Sequence, residues 1–274
     1  MVPVGKIFSK SWNYSLNWRR ITPFFLLLVP YVVLFAAFAD SALGFFAKYG
    51  VAPAAGSMPV NFAFELALFF MLLIFVSAVV FFADMYARGV IIENSRAYYL
   101  GKKASLMASK SSFGGRFLNL FCAVVVTRLI LFGLGMVPFV GWIFTIALSW
   151  AFLVVLQSVV VSKNSAIDSI KDSYEVFMAR KLDTFVFWLL LGLISAVMTF
   201  AAFIPFIMAA WPLVASFLSF IVTGSAPSFI DLVRQNIAQI FAGGIASAFF
   251  LGFVQVFKES ATTFFFMEAK KKRR

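Results

Sequence analysis

Ionisable and amide side chains stand inside apolar runs of this chain, and they are where chemistry could be done. Arg128 lies about 12 residues into the run 117–137, hence roughly 18 Å along a helix rising 1.5 Å per residue. An arginine at mid-membrane depth costs a few kcal/mol or more unless it is paired or hydrated. Two readings follow: a contact for an anion or substrate in a central cavity, or a structural pair with Asp84 or a helix-end carbonyl. Asp84 lies one turn before Arg88, which invites a local ion pair. Glu65 sits near the outer end of its run, as an interfacial carboxylate or a proton relay. Gln157 and Gln255 can hydrogen-bond between helices. Arg128, Asp84, Glu65, Gln157 and Gln255 are therefore the candidate intramembrane polar site.

Other chemistry has no residues to carry it. There is no histidine, which removes the commonest general base and transition-metal ligand. The single cysteine, Cys122, cannot form an internal disulfide. No phosphate-cradling glycine loop, paired-cysteine motif or paired-carboxylate motif occurs. Neither a metal nor a cofactor is expected, and the chain reads as a non-enzyme. Net charge is +12, yet the aromatic–basic interleaving of a single-strand nucleic-acid reader is absent.

The elements that position these residues are membrane spans. Of the 274 residues, 63% are hydrophobic and 12% charged, against about 25% charged in soluble domains. The reading is an all-α polytopic membrane protein with six transmembrane helices: 21–39, 61–87, 117–137, 142–162, about 184–208, and 235–257. Pro30 predicts a kink in the first, and Pro205 and Pro212 a break after the fifth. Ala37-Phe38-Ala39 resembles a signal-cleavage site, but the polar stretch before it is too long for a signal peptide. Residues 40–60 and 223–234 read as loops. Residues 213–222 are too short to cross and read as re-entrant or interfacial.

Amphipathic segments precede alternate spans. In 165–182, Ile167, Ile170, Tyr174, Phe177 and Met178 share one helix face; Asp168, Lys171, Asp172 and Glu175 share the other. In 3–20, Phe8, Trp12 and Leu16 oppose Lys6, Lys10, Asn13, Asn17 and Arg20. The stretch 103–113 is a weaker copy. Such helices lie flat at the interface. The unit of surface helix and two-span hairpin thus occurs three times, about 3–87, 103–162 and 165–257, with 258–274 as a basic cytoplasmic tail in one membrane domain.

Charge orients the chain. Of the 23 Lys and Arg, all but Lys48, Arg128 and Arg234 fall in 1–20, 88–116, 163–181 and 258–274. The positive-inside rule then places both termini in the cytoplasm, at the cell membrane. Lys6, Lys10, Arg19, Arg20, Arg180, Lys181, Lys270, Lys271, Lys272, Arg273 and Arg274 are the expected contacts for anionic lipid headgroups. Gly243/Ser247 and Gly244/Ala248 are small-residue pairs for close helix packing, within the chain or across a homo-oligomer.

Val159–Leu190 (VVVSKNSAIDSIKDSYEVFMARKLDTFVFWLL) shows a span exit, Ala-Ile-x-x-Ser-x-x-x-Ser with an aromatic, and a basic turn into the next span. It resembles the glycerophosphoryl diester phosphodiesterase membrane-domain-like proteins and related YciC-type proteins. That resemblance implies a prokaryotic six-span membrane protein with no assigned activity. Some relatives carry a fused phosphodiesterase barrel, for which this chain has no room, so no hydrolase activity is implied. The sequence leaves two functions open: organising lipid or a protein partner through the basic interfacial helices, or carrying a small molecule or lipid through a cavity lined by Arg128.

Overall fold

A computed structural model describes residues 2–49, 60–138, 140–223 and 229–271. Among these residues the only regular structure is helical. The helices are α1 (Val4–Ser15), α2 (Trp18–Tyr49), α3 (Val60–Tyr99), α4 (Leu106–Phe113), α5 (Phe117–Gly135), α6 (Gly141–Ala151), α7 (Val155–Ser162), α8 (Ala166–Ala179), α9 (Lys181–Thr223) and α10 (Phe229–Lys271), with a 3-10 turn at Gly114–Arg116. Six stretches are long and apolar enough to cross a membrane: Trp18–Phe38, Ala63–Tyr99, Leu106–Gly135, Gly141–Ser162, Lys181–Ser216 and Gln235–Lys271. The protein is an all-α polytopic membrane fold. In lipid every backbone amide must find its partner inside the segment, and a helix meets that condition.

The helices outrun the expected spans. α2 continues through the first half of the expected 40–60 loop, and residues 50–59 of that loop lie outside the described residues. α3 carries on to Tyr99, so Arg88–Tyr99 is helix rather than polar connection. Residues 213–222 belong to the unbroken α9, which contains both Pro205 and Pro212. They are neither re-entrant nor a separate interfacial piece. A proline removes one backbone donor and tilts the helix without ending it when neighbouring groups compensate. The 223–234 loop shrinks, because α10 begins at Phe229. The fourth span is two helices, α6 and α7, parted at Phe152–Val154.

The chain divides into two compact units. The first comprises Met1–Pro23, Ala83–Met198 and Phe253–Arg274. Its core gathers Val90, Ile92, Phe113, Leu120, Ala123, Val155, Val159 and Val160. Gly89 permits the approach of α4: a Cβ there would collide with the Phe113 ring. Phe187 stacks between Phe8 and Phe265, with ring centroids 5.5 and 4.3 Å away. Residues 258–271, expected as a cytoplasmic tail, are the end of α10, and Phe264, Phe265 and Phe266 are fully buried in this core.

Within the first unit α1 and α8 each bury a face that mixes serines with larger side chains. α1 buries Ile7, Ser11, Tyr14 and Ser15; α8 buries Ser169, Ser173 and Val176. Trp12, Leu16, Ile167, Tyr174 and Met178 stay exposed. Ser165 begins α8, its hydroxyl accepting from the Asp168 backbone N–H at 3.2 Å, an N-terminal cap.

The second unit comprises Phe24–Phe82 and Thr199–Gly252. Here Gly243 meets α9 so closely that a Cβ would lie 2.6 Å from Ala209 Cβ and 2.7 Å from the Pro205 carbonyl oxygen. At Gly244 a Cβ would stand 3.1 Å from Val32 of α2. The Phe206 backbone N–H, just after Pro205, donates to Ser247 Oγ at 3.2 Å. Ala248 is buried. Gly243, Gly244 and Ser247 therefore serve contacts inside this chain.

Candidate functional site

Polar side chains converge in the first unit. Asp84 and Arg88 stand one turn apart on α3, and Arg88 Nε donates to Asp84 Oδ2 at 2.7 Å. The same guanidinium reaches α10, where Nη1 donates to Glu259 Oε1 at 2.8 Å. Glu259 is 6% exposed and Gln157, from α7, is 2% exposed. Gln157 Nε2 makes a long donation to Glu259 Oε2 at 3.4 Å, and among the described residues Gln157 Oε1 has no hydrogen-bond partner. One cation thus joins two carboxylates through separate nitrogens of its planar guanidinium.

The other expected members of the intramembrane site stand elsewhere. Arg128 is exposed on α5, and among the described residues it has no ion pair. Its expected partner Asp84 is held by Arg88 instead. Glu65 is exposed in the second unit, and Gln255 is half-buried. Only Asp84 and Gln157 of the five are brought together. The sequence reading paired Arg88 with Asp84 but counted neither Arg88 nor Glu259 among the site's members, because both fall in cytoplasmic segments by charge. The Asp84–Arg88 spacing was a usable signal; Glu259 lies 171 residues from Arg88 and gave none.

A second cluster ties α10 to α7 and α8. Lys270 Nζ donates to Asp172 Oδ2 at 2.7 Å and to Ser162 Oγ at 2.8 Å. Ser158 and Asn164 donate to the same carboxylate oxygen. Arg96, Tyr99, Lys163, Asp172, Lys270 and Lys271 line an open groove of about 1110 Å³. α3, α7 and α10 all end there. Terminal carbonyls carry partial negative charge, which suits Arg96 in the last turn of α3 and Lys270 and Lys271 in that of α10. Glu93 receives Arg96 and Arg116, and Arg116 also donates to the Val160 carbonyl at 2.7 Å.

The expected headgroup contacts separate into two groups. Arg20 is buried: it donates to the Tyr14 carbonyl at 2.6 Å and lies 3.8 Å above the Tyr14 ring. Lys270 is committed to Asp172, and Arg180 to Asp183 at 3.3 Å. These three are intrachain partners rather than free headgroup contacts. Lys10 folds over the Tyr99 ring at 4.4 Å, and partial burial lowers its pKa despite the Glu268 carboxylate opposing that shift. Tyr14 donates to Asn94 Oδ1 at 2.7 Å, and burial pushes its phenol up from the ordinary range. Lys6, Arg19, Lys181 and Lys271 remain exposed; Lys272, Arg273 and Arg274 lie outside the described residues.

The fold and its polar interior define a multi-pass integral membrane protein. No protein-family profile, curated protein or solved structure matches the chain.

In the second unit, Tyr31, Phe35, Phe206, Phe241, Gly244 and Leu251 are among the residues around an apolar cavity of about 480 Å³.

Proposed function

We propose that this is a non-enzymatic cell-membrane protein, both termini cytoplasmic, that organises anionic lipid of the inner leaflet through α1, α4 and α8. The observation that carries the proposal is the outward apolar face on α1 and α8. Trp12 and Leu16 on α1, and Ile167, Tyr174 and Met178 on α8, are exposed although each helix has a buried face available. Met107 on α4 is 78% exposed. Exposed cations accompany them: Lys6, Arg19, Lys103, Lys110, Lys171 and Lys181. An apolar face flanked by cations suits a helix lying at an anionic lipid surface.

The burial registers support a common origin for α1 and α8. Aligning Ser11 with Ser173 places Ile7 on Ser169 and Tyr14 on Val176, all buried. It also places Trp12 on Tyr174 and Leu16 on Met178, all exposed. The threefold unit and the likeness to the phosphodiesterase membrane-domain-like proteins belong to this proposal.

The test is lipid retention by native mass spectrometry after extraction from mixed phosphatidylglycerol and phosphatidylcholine. The combined Trp12→Gln, Leu16→Gln, Lys6→Gln variant should lose the preference for the anionic lipid while eluting as the parent does. An unchanged ratio of retained lipids would count against the proposal. A C-terminal reporter active only outside the cytoplasm should remain silent.

A further inference from the structure

The Asp84–Arg88–Glu259–Gln157 cluster is short of one positive charge. Arg88 is shared by two carboxylates, so the three ionised groups sum to one negative charge, and Glu259, its side chain 7% exposed against 23% for Asp84 and 22% for Arg88, is the member withdrawn from water. Isolated charge in such a place is costly. Lys258, on the same helix as Glu259, is half-exposed and adds a more distant positive charge. The charged groups acting on Glu259 are Arg88 and Asp84 from α3 and Lys258 from α10. α7 contributes the neutral Gln157.

The hydrogen bonding shows the same deficit at an identifiable atom. Glu259 Oε1 is satisfied by Arg88 at 2.8 Å. Among the described residues Oε2 has only the 3.4 Å contact from Gln157 Nε2, while Gln157 Oε1 is buried without a partner. A half-turn of the Gln157 amide exchanges Nε2 for Oε1. Oε1 then faces Glu259 Oε2, and two acceptors oppose each other with room for one proton between them.

We infer that Glu259 is a proton-binding site, with Gln157 as the residue that recognises both of its states. On protonation a hydronium ion gives its proton to Oε2, forming the O–H bond and leaving water. The new hydroxyl donates to the turned Gln157 Oε1, and Oε1 of Glu259 still accepts from Arg88. Arg88 then balances ionised Asp84, and the cluster is neutral. On deprotonation the Oε2–H bond breaks, water takes the proton as hydronium, the amide turns back and Nε2 donates to the carboxylate. Both forms are hydrogen-bonded, so the cluster can take up and release one proton while its helices stay in place. This inference is independent of the leaflet-organising role.

Infrared difference spectroscopy of the full chain in nanodiscs, stepped between mildly acidic and alkaline pH, tests it. A carboxylic-acid carbonyl band should be present at neutral pH, be absent in Glu259→Gln and move in Gln157→Leu, which removes its hydrogen-bond partner. No band in the parent, or the same band in Glu259→Gln, would overturn the inference. Thermal unfolding provides the second readout. Glu259→Gln, which resembles the protonated acid, should melt with the parent at neutral pH, whereas Glu259→Ala should melt lower. If Glu259→Gln falls as far as Glu259→Ala, or fails to fold, the carboxylate is required and the proton is excluded. Replacing choline by sodium at constant ionic strength should leave the melting temperature unchanged. A sodium-dependent rise that vanishes in Glu259→Gln would assign the site to a metal cation instead.

Discussion

The two units hold themselves together by different means. Among the described residues the first joins ion pairs to its apolar core: Asp84–Arg88–Glu259, Glu93–Arg116, Arg180–Asp183 and Asp172–Lys270 all lie within it. The second relies on close backbone approach at Gly243 and Gly244, and on the Phe206–Ser247 hydrogen bond beside a proline. The difference teaches how surroundings select the interaction. In lipid an apolar side chain gains nothing by leaving its neighbours, so small residues and dispersion decide the packing. Where helices pack around polar groups, charges have to be paired within the structure.

The comparison is broken most severely by removing the shared cation. Arg88→Ala leaves ionised Asp84 without its counter-charge and the Glu259 carboxyl without its donor, and should cost about 3 kcal/mol or more, since breaking such a pair leaves its charge uncompensated. The expected result is a large fall in melting temperature and loss of the monodisperse elution peak in detergent. Steric damage comes next. Gly243→Leu should cost about 1–3 kcal/mol by overpacking against Pro205 and Ala209, and thermal unfolding measures it. Gly243→Ala should already be harmful, because the clashing Pro205 oxygen is backbone and cannot rotate away.

Gly89→Leu tests the first unit with the same kind of damage, since its Cβ meets the Phe113 ring. If both glycine variants are harmful while Arg88→Ala is silent, the charge-versus-packing contrast fails. Lys270→Ala is smaller. Its side chain is a third exposed, and Ser158 and Asn164 remain on Asp172, so about 1 kcal/mol is expected from the lost charge-assisted bond. Increasing salt should narrow the gap between Lys270→Ala and the parent, because partly exposed pairs are screened. Lys6→Gln should leave melting unchanged, because Lys6 is exposed and makes no ion pair among the described residues.

Part of the site was readable and part was not. Asp84 and Arg88 are four residues apart on one helix, so their meeting follows from helical geometry. Gln157 stood out as an amide inside an apolar run. Glu259 did not, because it follows Lys258 at the edge of a span, where a charged pair ordinarily meets water. Lys270 and Arg20 were misread for a similar reason. A basic residue near a span end fits a lipid headgroup, and only the neighbouring helices reveal that Asp172 or the Tyr14 ring is there instead.

The amino-acid sequence by itself determined that this chain crosses the membrane as six helices. Long apolar runs leave the backbone no partner in lipid except its own carbonyls, a local condition that hydropathy records. It also determined which faces of α1 and α8 are apolar, because helical periodicity is local as well. The tertiary structure alone decided that Trp12, Leu16, Ile167, Tyr174 and Met178 stay exposed while Ser11 and Ser173 go in, with Phe8 stacked on Phe187 and Ile170 packed against the core. It also decided that the end of α10 is a core element and that Arg88 meets Glu259. Such pairings join residues far apart in the chain, and their stability depends on which surfaces surround them after the helices have packed.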